Sequence, residues 1–231
     1  MAAAALPAGP SNLLSEFRQK LAGSWRQNTA CGRYYIKTDK LQKWMVSIAP
    51  GSNATNLKRL LDEVWRSQAR RISIFRPSAT AISTGEERTI IVFSILLAIG
   101  HGYLVDVFRQ ANIIDNILTY VSEEHNYQPL AGELRRHGVS EVDTIINHFK
   151  KKKWSFCPVI LKRDLHGDYR GCGWVLPYCK RELIHEGGTA EVFQVLVHED
   201  YLSSDLKEIL KASIVEDGNL GQVSYAYGWS T

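Results

Sequence analysis

The residues offering the most definite chemistry are Ile184-His-Glu-Gly-Gly-Thr-Ala-Glu-Val-Phe-Gln-Val195. Two β-type runs meet there at small residues, and a tip without bulky side chains lets backbone N–H groups approach phosphate oxygens closely. Against the Gly-rich loop pattern G-x-G-x-x-G-x-V, His185 takes the first glycine position, Gly187 the second and Ala190 the third. Val192 falls on the valine that packs against adenine. One glycine of three survives, so taken alone the stretch reads first as a plain β-hairpin and only second as a nucleotide loop.

Phosphoryl transfer by the protein-kinase route makes further demands. A lysine must lie on the next strand, an aspartate must face the acceptor hydroxyl, and an asparagine and a second aspartate must hold metal. No lysine follows Lys211, and Lys207 and Lys211 belong to an amphipathic helical pattern. Arg163-Asp164-Leu165 imitates part of H-R-D-L, but Lys162 precedes it and Tyr169 stands where the asparagine is needed. Asp217-Gly218 follows Glu216, and D-F-G occurs nowhere. As written, the chain cannot carry out phosphoryl transfer by that mechanism.

Other constellations are weaker. Cys157, Cys172 and Cys179, with His148 and His166, lack the paired close ligands of a zinc site and read as buried free thiols. No G-x-S-x-G or comparable nucleophile signature accompanies the histidines. Trp25, Trp44 and Trp65 lie in patterns that favour core or rim packing over base stacking. Lys150-Lys-Lys-Lys153 reads as the solvated end of a helix, where cations complement the dipole. It would also suit a nuclear address, a nucleic acid or an anionic membrane surface.

The elements behind these residues fall into two textures. Ser11 would cap a helix carrying Leu13, Leu14, Phe17 and Leu21, and a second starts at Thr55 or Asn56 with Leu57, Leu60, Leu61, Val64 and Trp65 inward. Tyr34-Tyr35-Ile36 and Trp44-Met45-Val46-Ser47-Ile48 are short, strand or irregular. Arg76-Pro77-Ser78 ends the segment after the second helix. Ile90 to Ile99 is a buried helix, about half the length a membrane span needs, closed by Gly100. Helical pieces follow at Tyr103–Arg109, Ile113–Val121 and Leu130–His137. Ser140-Glu-Val-Asp143 opens another, finishing in the lysine run. Beyond Trp154 the pattern turns to β: Arg181–Ile184 and Glu191–Val197 form a hairpin, followed by a helix from Ser203 or Ser204 to Lys211. The expected fold is α+β, mainly α: a tail over residues 1–11, a helical domain over 12–153 and a β-rich segment over 154–231.

Composition excludes several classes. At 231 residues the chain can bury a sizeable core, and 45% hydrophobic with 23% charged residues is ordinary globular composition. A net charge of +4 is thin for a nucleic-acid binder, and four cysteines do not staple a secreted domain. The start, Met1-Ala-Ala-Ala-Ala-Leu-Pro, is a poor signal peptide. The expectation is an intracellular protein, cytoplasmic or nuclear, without a membrane span and with nucleic acid an unfavoured partner.

Four phrases together carry a resemblance: Glu87–His101, Phe156-Cys-Pro-Val-Ile-Leu161, Gly173-Trp-Val-Leu-Pro-Tyr-Cys179 and Ile184–Val195. They resemble the N-terminal region of filamentous-fungal serine/threonine protein-kinase-like proteins, from about Leu13 to Gly221. There a helical segment of uncertain role precedes the kinase domain, and the last phrase is its Gly-rich loop. The resemblance implies that Glu186, Gly187, Gly188, Thr189 and Ala190 form a loop over phosphates, with Val192 against adenine. ATP is the cofactor implied, held weakly, with no catalytic residue and no metal ligand to carry over. It further implies a truncated, catalytically incompetent kinase-like chain. Val223 to Thr231 departs from the expected strand, two open strands and a helix cannot close an adenine pocket, and the edge at Glu191–Val197 should fray or associate. The alternative is a helical interaction module whose unknown protein partner binds residues 11–152.

Overall fold

A computed structural model describes residues 13–48, 51–68, 75–118, 127–162, 173–186, 190–210 and 222–230. The fold is α+β and mainly helical, with two small antiparallel sheets. The described residues form two compact units. One holds residues up to Arg26, Thr38–Leu118 and Tyr127–Phe149; the other holds Gln27–Lys37 and the chain from Lys150 onward.

The first unit is helical. It contains α1 (Leu13–Ala22), α2 (Thr38–Val46), α3 (Asn56–Gln68), α4 (Ala79–Ser83), α5 (Ile90–Ala98), α6 (Val105–Gln110), α7 (Gln128–Arg136) and the first part of α8 (Val142–Phe156). The stripe expected on α3 is buried at Leu57, Leu60, Leu61, Val64 and Trp65. Thr55 Oγ1 accepts from Lys58 N at 3.3 Å at its start. Trp44-Met45-Val46 is helical rather than strand. Leu41 and Met45, one turn apart, are both fully buried, and Trp44 packs against Trp25 with ring centroids 5.3 Å apart. That one-turn spacing outweighs the β preference of a short aromatic run. From Ile113 onward the expected helix is only a 3-10 turn at Asp115–Ile117, and residues 119–126 lie outside the described ones.

α5 carries apolar side chains at every position but Ser94, and Ile90 and Val92 through Leu97 are buried. Its own first residues do not cap it, since Thr89 makes no side-chain cap. The Asp115 carboxylate does so from a distant loop. Ile91 N donates to its Oδ1 and Oδ2 at 3.0 and 3.1 Å, and Val92 N donates to Oδ1 at 3.1 Å. Asp115 N in turn donates to Arg88 O, which ties the loop to the helix start.

The second unit is β-rich. A short ribbon of β1 (Arg26–Asn28) and β2 (Tyr34–Ile36) sends Tyr35 into a core with Trp154, Val159, Leu161, Val175, Phe193, Val195 and Val197. Beside it stands a three-stranded antiparallel sheet of β3 (Tyr178–Glu186), β4 (Ala190–His198) and β5 (Gln222–Ser230), with β4 in the middle. Among the described residues, the connection between β4 and β5 holds a 3-10 turn at Glu199–Tyr201 and the helix α9 (Ser204–Leu210).

Two expectations are corrected here. Gln222–Ser230 is a full strand, paired with β4 at every rung from Ala190↔Ser230 to His198↔Gln222. β4 is therefore flanked on both sides, and Glu191–Val197 is not a free edge. Alternation in Val223, Tyr225, Tyr227 and Trp229 is a sufficient strand signal without any lysine to end it. The second correction concerns α8, which continues to Phe156 instead of stopping in the lysine run. Trp154 and Phe156 are buried and hold its last turn.

Candidate functional site

The hairpin singled out by its glycines is built by β3 and β4. Along β4, Phe193, Val195 and Val197 are buried in the core cluster, while Gln194 is exposed. This is the period-two pattern of a strand with one covered face. The last described rungs are His185↔Val192 and Glu186↔Glu191. Of the expected loop residues, Glu186 ends β3, Ala190 begins β4 and Val192 lies two residues further along. Gly187, Gly188 and Thr189 lie outside the described residues.

The register brings two acidic residue types to facing positions at the mouth of the loop. Residue types of like charge at directly opposite positions of a sheet are unfavourable. The cations of β3 are already engaged further back. Lys180 Nζ lies 2.5 Å from Glu182 Oε1, and the Arg181 guanidinium sits 3.5 Å from the centre of the Phe193 ring.

The two outer strands of this sheet differ. β3 carries two bulges against β4, because Cys179 falls between the Tyr178 and Lys180 rungs and Ile184 between those of Leu183 and His185. Leu183 and Ile184 are about half exposed there. β5 is regular over all nine rungs and contains no charged residue and no proline.

Parts of the kinase test (Arg163-Asp164-Leu165, Asp217-Gly218 and Lys211) and of the metal reading (Cys172 and His166) fall on residues that are not described. Among the described residues, no group of three or more His, Cys, Asp or Glu could hold a metal ion. Cys157 is buried, Cys179 half-buried and Cys31 exposed, and none of the three is in a disulfide. The Cys179 thiol is 3.7 Å from the Tyr35 hydroxyl. Burial, and then the neighbouring Cys179, holds the Tyr35 phenol far above its usual range.

The lysine run is not a solvated helix end. Only Lys151 is fully exposed, and Lys153 is buried with its Nζ 3.8 Å from the centre of the Trp154 ring. Lys152 Nζ donates to Tyr34 Oη at 2.9 Å. Successive residues of a helix point about 100° apart, so four adjacent lysines cannot share one exposed face. A single anionic-surface patch does not form from them.

Among the described helices, none is long and apolar enough to cross a membrane. In the helical unit, His101 Nδ1 lies 3.4 Å from Tyr103 Oη, and burial lowers the His101 pKa. Burial likewise raises the Tyr103 phenol. Sequence patterns gave no hint of the Asp115 cap, because its partners are backbone groups 23 and 24 residues away. No family model, curated protein or solved structure matches this chain.

Proposed function

We propose that this chain is a non-catalytic, kinase-like protein that acts through protein contacts, with ATP held weakly at most by its Gly-rich hairpin. The observation that supports this reading is the closing rung of the hairpin, where Glu186 faces Glu191. A phosphate-cradling loop needs donors and positive charge at that mouth, and this register supplies acidic residues instead. The lysine and arginine nearest in the strand are engaged with Glu182 and Phe193.

Cys31, Cys157 and Cys179, none of them in a disulfide, suit the cell interior, cytoplasm or nucleus. The experiment is a thermal-shift titration of the whole chain with Mg-ATP. A ligand at a hundredfold excess over its Kd adds about 2.7 kcal/mol. The expected outcome is no saturable shift up to millimolar nucleotide. A saturable shift that Gly188→Val abolishes would replace this reading with a nucleotide-binding one.

A further inference from the structure

The two edges of the β3–β4–β5 sheet receive opposite treatment. Natural sheets discourage edge-to-edge association with bulges and charged residues. β3 has both: bulges at Cys179 and Ile184, and the consecutive charges Lys180, Arg181 and Glu182. β5 has neither, and among the described residues it pairs with β4 alone. A regular, uncharged strand of nine residues is a template for another strand.

The sequence of β5 also says which strand fits. In Gln222-Val-Ser-Tyr-Ala-Tyr-Gly-Trp-Ser230 residue class mirrors about Ala226: tyrosine with tyrosine, small with small, apolar with apolar and polar with polar. An antiparallel two-fold centred on Ala226 sets Tyr225 against Tyr227 of a second copy, twice. It likewise sets Val223 against Trp229, and Ser224 against Gly228. Aromatic and aromatic–β-branched cross-strand pairs are among the favourable ones, and no rung opposes like charges. Such an interface is isologous, as closed two-fold dimers require.

We propose that β5 is a homodimerisation strand, and that two copies join edge to edge into one six-stranded antiparallel sheet centred on Ala226. This rests on the reading that the chain works by contact, and it names the partner as a second copy of the same chain.

Sedimentation velocity on the full chain across about 1–100 µM, the range common for reversible dimers, tests it. The expected species is a reversible dimer of twice 26.1 kDa. Ala226 pairs with Gln194, an exposed position of β4, so substitutions at 226 leave the core rungs unchanged. Ala226→Lys and Ala226→Asp each place like charges on the two-fold axis and should weaken the dimer about tenfold or more. An equimolar mixture of the two folded variants should restore a mixed dimer, an outcome that misfolding cannot imitate.

A monomer at every concentration, or a dimer indifferent to both substitutions, overturns the proposal. So does a dimer lost with Leu183→Asp and kept with Ala226→Lys, which would move the contact to β3. A monomer that also ignores Mg-ATP removes the second copy and leaves the contact reading intact. Saturable ATP binding removes the contact reading whatever the mass.

Discussion

Replacing Asp115 isolates the physics of the helical core, because two different substitutions separate its charge from its role as an acceptor. Burial pushes the Asp115 carboxyl from 3.8 up to about 6, although the N–H groups of Ile91 and Val92 and the Arg88 guanidinium pull the other way. Its side chain is 1% exposed, and Arg88 Nε stands 3.5 Å away. With the folded pKa above the unfolded one, the folded chain binds the proton more tightly. The stability this contributes is complete below about pH 4 and lost as pH rises through about 6. A shift of roughly two units corresponds to ~3 kcal/mol at most.

Asp115→Asn keeps an oxygen for both N–H groups and carries no charge. It should match the wild type near pH 4 and be the more stable protein at pH 7, by up to ~3 kcal/mol. Asp115→Ala removes the acceptor, leaving two buried donors unmet at ~1–3 kcal/mol each. Urea unfolding of the three proteins from pH 4 to pH 7 measures both differences, and other titrating carboxylates cancel between them. Should the advantage of Asp115→Asn shrink or reverse with rising pH, the N–H groups and Arg88 would outweigh desolvation, and the reasoning would be refuted.

Gly173 has a φ of +55°, and a Cβ there would stand 2.8 Å from Trp154 Cδ1. Gly173→Ala should cost ~1–3 kcal/mol in urea unfolding and disturb the near-UV signal of the Trp154–Trp174 pair, whose centroids are 4.0 Å apart; an unchanged midpoint would contradict the contact. Phe193→Ala removes a ring buried in the core under Arg181 and should cost ~3–5 kcal/mol by the same measurement. Hydrogen exchange should show the amides of Val192–Val197 protected, since β4 pairs on both sides. Exchange there as fast as in a solvent-exposed loop would contradict the central position of β4.

Residue type made the helical unit readable: the periodic stripe of α3 and the run of α5, apolar but for Ser94, announce buried helices. It failed at α2, where Trp44-Met45-Val46 carries strand-like residues and only the burial of Leu41 with Met45 reveals the helix. Nor could local pattern show that Tyr35 packs with Trp154 and Val195, contacts that span more than a hundred residues. The hairpin was legible because alternation on both sides of Gly187-Gly188 is a local signal. Its acidic closing rung was not, since facing positions depend on a register that two bulges shift. β5 was missed by demanding a lysine of it, when the alternation of Val223, Tyr225, Tyr227 and Trp229 already spelled a strand. The caps divide in the same way. Thr55 lies beside the helix it caps, whereas Asp115 reaches its helix through tertiary structure.

A phosphoryl-transfer assay tests the proposed non-catalytic role most directly. Incubating the purified full chain with γ-labelled Mg-ATP and mixed acceptor peptides should give peptide labelling and nucleotide hydrolysis equal to the protein-free blank. Labelling that rises in proportion to the chain, and that disappears with Gly187→Val and Gly188→Val, would contradict the account.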